Sequence, residues 1–157
     1  MINSTLCYID DGSSYLMLHR VKKKNDMNHD KWIGVGGKLE DGESPEECAR
    51  REVFEETGLT LNECRFRGIV FFFNTRYETE FMYVYTSSDY SGTIRECDEG
   101  DLEWVKKEDV TSLPIWEGDK IFLDLLVNDS PFFTLKLEYD GDTLVSHSLS
   151  TIDPPKK

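Results

Sequence analysis

The chain lacks any Cys-x-x-Cys pair, and its four cysteines, Cys7, Cys48, Cys64 and Cys97, are widely scattered with no histidine at zinc spacing. That pattern speaks against a zinc module or a disulfide framework and reads as buried or idle thiols in a reducing compartment. No apolar run approaches the ~18 residues that a membrane span needs, and the N-terminus has no signal-peptide pattern. Positive charge is also short: 18 Lys and Arg stand against 31 Asp and Glu, a formal net charge of −13. Such a chain repels the backbone of a polymeric nucleic acid. A small phosphorylated substrate stays open, because metal ions can invert the local potential. The expectation is a soluble, cytoplasmic protein without a membrane or nucleic-acid partner, either a monomer or a homodimer.

What is present fits a globular domain. The 157 residues are 38% hydrophobic and 12% aromatic, enough to bury a real core within one domain. That domain is expected over residues 1–152, with 153–157 a frayed tail. Residues 5–9 and 15–19 are apolar runs joined by Asp10-Asp11-Gly12-Ser13, a hairpin signal. Residues 21–31 read as a basic loop and 32–37 as a short glycine-rich strand. A helix is expected over 45–57: Ser44 is a natural N-cap, Pro45 suits the first position, Glu47 completes a capping box, and Gly58 suits a left-handed C-cap. Cys48, Ala49 and Val53 would supply its apolar contacts, its acidic face turned the other way. Strands are expected over 67–74, 80–86 and 102–105. A second helix over 117–127 carries Ile121, Phe122, Leu125 and Leu126 at helical spacing. A terminal hairpin spans 132–139 and 143–148. Strands before and after two helices imply an α/β (α+β) sandwich, a mixed sheet between helices.

The densest information lies in residues 37–59, GKLEDGESPEECARREVFEETGL. The segment reads G-x5-E-x7-R-E-U-x-E-E-x-G-U, where the apolar U positions are Val53 and Leu59. At residue frequencies of roughly 5–7%, a chance match at one start is on the order of one in 10⁹. Glu52, Glu55 and Glu56 fall at i, i+3 and i+4, which puts three carboxylates on one helical face within reach of a shared ion. Most acidic runs are solvated helix faces, but this one sits inside a fixed register of Gly37, Glu43, Arg51 and Gly58. A cluster of Glu suits Mg²⁺, which prefers oxygen ligands, better than it suits a softer metal.

The segment resembles the Nudix box at every position, so the chain looks like a Nudix hydrolase, with wider likeness to the MutT branch. That resemblance implies cleavage of a nucleoside diphosphate linked to another group, with Mg²⁺ (or Mn²⁺) and water. It assigns Glu52, Glu55 and Glu56 to metal binding, with Glu52 or Glu56 deprotonating or orienting the water, and the Gly36 carbonyl to a backbone ligand. Glu43 and Arg51 would brace the loop against the helix. A further glutamate outside the box completes such sites; Glu96 and Glu99 are candidates, Glu99 the preferred one.

On the substrate side, Lys38, Arg20 and Lys23 are candidates for phosphate contacts or ordinary surface cations. Trp116 offers a flat indole that can stack on a purine, and Asp119 an acceptor for a base edge. The alternative is that Trp116 packs the start of the last helix and Asp119 caps it. His19, His29 and His147 have no partners at metal or triad spacing. Mammalian-type oxidised-purine hydrolases carry Asn where this chain has Ile33, and of their paired acidic residues only Asp119 has a match, the other position being Gly118. The likeness is closer to bacterial MutT-type proteins. The resemblance therefore implies a nucleoside triphosphate pyrophosphohydrolase, with 8-oxo-dGTP foremost. Another nucleoside diphosphate derivative (an ordinary dNTP, a nucleotide sugar, a dinucleotide) is the alternative, and a catalytically silent nucleotide-binding domain is the third reading.

Overall fold

The computed structural model describes residues 1–23 and 25–152, so the expected frayed tail, 153–157, lies outside the described residues. Its centre is an eight-stranded mixed sheet. β1 (Ile2–Asp10) and β2 (Ser14–His19) form the first hairpin. At its turn the Asp11 carboxylate accepts from the backbone of Ser13 and Ser14, and Gly12 supplies a φ of +108° that a side chain would resist. β5 (Arg65–Asn74), β6 (Glu80–Ser87), β8 (Asp101–Lys106), β9 (Phe132–Asp140) and β10 (Thr143–Ile152) complete it around the short β3 (Trp32–Ile33). The order is β10-β9-β5-β6-β1-β2-β3, with β8 also on β2; β1 with β6 and β5 with β9 are parallel, the other pairs antiparallel. β4 (Thr60–Leu61) and β7 (Tyr90–Ser91) pair separately, and residues 110–112 form one 3₁₀ turn; neither gave a sequence signal.

Strand alternation sends β1 side chains to two cores. Leu6 and Tyr8 pack with Phe122, Leu123 and Leu126 of α2 (Glu117–Val127), whereas Cys7 and Ile9 pack with Ala49 and Val53 of α1 (Pro45–Thr57). The helices therefore cover opposite faces of the sheet. Each fully buried Phe or Leu on α2 contributes about 1.5–3 kcal/mol. α1 begins and ends where its local signals place it. Ser44 Oγ accepts from the Glu47 amide, Glu47 Oε1 accepts from the Ser44 amide, and Gly58 closes the helix at φ +82°.

Two expectations need correction. Residues 32–37 are a strand only at Trp32–Ile33; beyond it the chain touches β1 through single bridges at Cys7–Val35 and Ser4–Lys38. Gly36 passes so close to β1 that a Cβ there would sit 1.8 Å from the Thr5 carbonyl oxygen, so the run hugs β1 without forming a regular ladder. The acidic face of α1 is also not all turned outward, because Glu56 is buried with Cys48, Ala49 and Val53.

Candidate active site

A cavity of about 790 Å³ opens where the two helices, β1 and residues 20–23 and 25–28 converge. Gly36, Glu52, Glu56 and Glu99 line it, and so do Arg20, Lys23, Lys38, Trp116 and Asp119. The site thus gathers nine of the metal and substrate residues expected from the sequence, together with Gly37 and Arg51 of the same motif. Glu55 is outside the lining: its side chain is 56% exposed and pairs with Arg51 at 3.1 Å. Glu96 is outside too, exposed and paired with Lys22, while Glu99 faces the cavity.

Arg51 organises the box. Its guanidinium binds Glu43 through Nε (2.7 Å) and Nη2 (2.9 Å), Glu52 through Nη1 (2.8 Å), and the Lys38 carbonyl (3.2 Å). The fork holds the loop before the helix against the helix itself. The Arg51 bonds hold the Glu43 carboxyl down at about 2. Gly37 is needed beneath this cluster, because a Cβ there would lie 2.6 Å from the Glu52 carboxyl carbon.

Glu99 reaches the site on a loop clamped at two points. Gly100 packs where a Cβ would stand 2.0 Å from the His19 carbonyl oxygen, which sets Glu99 beside Arg20 (2.9 Å) and Lys23 (3.2 Å). Arg20 is also bound by Asp26 at 2.7 Å. At the other end Arg95 donates from its amide to Thr57 O (2.8 Å) and from Nη2 to Phe54 O (2.8 Å) and Glu55 O (3.0 Å). α1 has no basic residue in its own last turn, so Arg95 supplies the cation that its carbonyl end favours.

Glu56 and Glu99 both face the cavity, and each shifts the other's carboxyl. Burial first, then the Glu99 carboxylate, pushes the Glu56 carboxyl far above the usual range. Burial also opposes ionisation of Glu99, but the proton on Glu56 and the charges of Arg20 and Lys23 prevail and lower it. Burial raises Glu52 against the pull of Arg51. Among the described residues no three His, Cys, Asp or Glu side chains form a closed ion cage as they stand. Arg51, Arg20 and Lys23 take up the charge of Glu52 and Glu99 instead. The donor set nevertheless fits a hard divalent cation: it is all oxygen, it faces the cavity, and Glu56 Oε2 is buried with no hydrogen-bond partner.

The rest of the lining is aromatic and apolar. Trp116 is 5% exposed, with the Lys31 ammonium 4.7 Å above its ring and Phe72, Tyr77 and Tyr139 set edge-on around it. It is a walled side of the cavity more than an open stacking surface. Trp116 is the N-cap of α2 but no side chain caps that end, so Asp119 does not serve as the cap. Asp119 is buried instead, and burial, opposed in part by Lys31, pushes its carboxyl up to about 8. The neighbouring Gly118 has no room for a second acid, since a Cβ would meet Leu137 Cδ1 at 2.4 Å. Of the histidines, His19 stacks on Trp32 and contacts Asp30, His29 contacts the Lys23 carbonyl, and His147 lies on exposed β10.

Sequence reasoning missed Met27, Asn28, Phe72 and Met82, which also line the cavity. The last two were accessible in principle: Val70 and Phe72 on β5, Met82 and Val84 on β6, alternate toward one core. Asn28, in an irregular loop, gave no signal.

A capped helix carrying this carboxylate cluster, set against a mixed sheet, defines the class. The chain matches the NUDIX domain family over residues 2–126 and belongs to it; it is a Nudix hydrolase of the MutT type, an enzyme of phosphoric anhydrides. It is 30% identical over 132 residues to the oxidized purine nucleoside triphosphate hydrolase of Mus musculus, a match covering 83% of this chain and 85% of that protein. The Danio rerio protein of the same name matches equally. Among solved structures, the MutT protein from Bacillus halodurans superposes with a TM-score of 0.83 at 27% identity, covering 95% of this chain and 97% of that one.

Proposed function

We propose that this chain is a Mg²⁺-dependent pyrophosphohydrolase of purine nucleoside triphosphates, with 8-oxo-dGTP the foremost substrate, and that residues 1–152 act as one domain. The observation that carries this reading is the shared cavity: Glu52, Glu56 and Glu99 line the same space as Trp116, Phe72 and Asp119. One set suits a polyphosphate held through cations, the other a flat base. The names of the mouse and zebrafish relatives support the same substrate class.

Glu52, Glu56 and Glu99, with the Gly36 carbonyl, would hold Mg²⁺, or Mn²⁺ in its place. When bound there the ion supplies positive charge against the polyphosphate and makes water more acidic. Glu52 or Glu56 accepts the proton of the attacking water. Burial and the neighbouring Glu99 push the Glu56 carboxyl far above the usual range, and Glu56 can accept that proton only in its ionised form. The water oxygen attacks the β-phosphorus, the bond to the oxygen bridging the α-phosphorus breaks, and the nucleoside monophosphate and pyrophosphate leave. Lys38, exposed at the cavity and in no ion pair among the described residues, is the cation best placed for a phosphate oxygen; Arg20 and Lys23 are engaged by Glu99.

A second reading keeps the chemistry and changes the substrate to another nucleoside diphosphate derivative. It is favoured by Ile33 and Gly118, which depart from the oxidised-purine pattern. A turnover screen with Mg²⁺ over oxidised and normal triphosphates, nucleotide sugars and dinucleotides decides between them. Fastest turnover of a nucleotide sugar or dinucleotide would overturn the first reading.

A further inference from the structure

The Trp116 indole has one polar atom, Nε1–H, and it can only donate. It donates to Asn28 Oδ1 at 2.7 Å. That bond settles which way the Asn28 amide is turned, since a reversed amide would set two donors face to face. The Asn28 backbone is held as well: its amide donates to Asp26 Oδ1 (3.1 Å) and its carbonyl accepts from Lys31 (2.8 Å). Asp26 is in turn fixed by Arg20. With the oxygen committed to Trp116, the Nδ2 amino group keeps both its hydrogens, and among the described residues it has no acceptor. Asn28, Trp116 and Asp119 line one cavity, while Ile33 beside them offers no hydrogen bond.

We propose that Asn28 is a specificity-determining residue: its Nδ2 group, aimed by Trp116, donates to an acceptor on the bound base and selects purines with a carbonyl oxygen at C6 over those with an amino group at C6. A base with an amino group at C6 would bring a donor against a donor and leave both buried and unpaired, which is a stronger discrimination than a missing contact. The proposal rests on the nucleotide reading of the cavity and adds which edge chemistry the cavity prefers.

The test exploits the near-identical shapes of Asn and Asp. N28D keeps an oxygen for Trp116 and replaces the outward donor by an acceptor; N28A removes both. Binding of 8-oxo-dGMP and 8-oxo-dAMP is followed by calorimetry, and kcat/KM is measured on the two triphosphates, with thermal unfolding as a check of folding. Wild type should prefer the guanine form. N28D should lose about ten- to hundredfold on the guanine form while holding or gaining on the adenine form. N28A should lose the preference without acquiring the reverse one. Equal losses on both bases in N28D and N28A, or an unchanged ratio, would overturn the role of Asn28 and leave the nucleotide reading standing. Wild type that binds neither nucleotide would overturn both.

Discussion

At the scale of single residues, Glu56 concentrates the electrostatic conflict of the candidate site. Its carboxylate is buried, leaves Oε2 without a partner, and faces Glu99. No stability argument favours that placement, so replacement by an isosteric amide separates folding from function. Glu56→Gln should cost roughly 10²–10³-fold in kcat, while the metal-free variant melts at or above the wild-type temperature. A loss under threefold would contradict its role. Asp119 makes a matching prediction for pH. Its carboxyl moves from 3.8 to about 8 on folding, so the folded state binds the proton more tightly than the unfolded chain. The stability that Asp119 contributes is then full below about 4 and is lost as pH rises toward about 8. Melting temperatures across that range should decline in the metal-free protein, and Asp119→Asn should flatten the decline. An equally steep decline in the variant would show that other groups set it.

At the scale of elements, the site depends on how a loop is tied to the end of a helix. Arg95 caps the carbonyl end of α1 and belongs to the same loop as Glu99, four residues on. Removing its side chain should cost about 0.5–1.5 kcal/mol of stability through the lost bonds. It should also raise the Mg²⁺ concentration needed for half-maximal activity several-fold, with kcat at saturating Mg²⁺ largely retained. An Arg95→Ala variant with an unaltered Mg²⁺ response would remove this link, and an Arg95→Lys variant should recover part of it. The helices were readable in the sequence because their signals are local: Ser44, Pro45, Glu47 and Gly58 bracket α1 within fifteen residues. The direction in which α1 turns its glutamates was not. The i, i+3, i+4 spacing makes Glu52, Glu55 and Glu56 neighbours but does not say that Glu56 points inward and Glu55 outward. That is decided by the docking of Ala49 and Val53 against Cys7 and Ile9 of β1, a contact between distant parts of the chain whose buried side Glu56 shares. The Trp116–Asn28 pair spans 88 positions, and the loop that holds Asn28 has no periodicity to read.

At the scale of the molecule, the two helices cover opposite faces of the sheet yet both contribute to one cavity: Arg51, Glu52 and Glu56 from α1, Asp119 from α2. β1 makes this possible, since Ser4, Thr5 and Leu6 line the space between them. A chain of net charge −13 holds its site carboxylates in check with Arg20, Lys23 and Arg51. A cation entering the site, as proposed above, would take over that task and free those side chains. The direct test is a crystal soaked with Mn²⁺ and a non-hydrolysable nucleoside triphosphate, recorded at the manganese absorption edge. Anomalous density beside Glu52, Glu56 and Glu99, absent in Glu56→Gln, is the expected result; no density at those carboxylates with nucleotide bound would contradict the account.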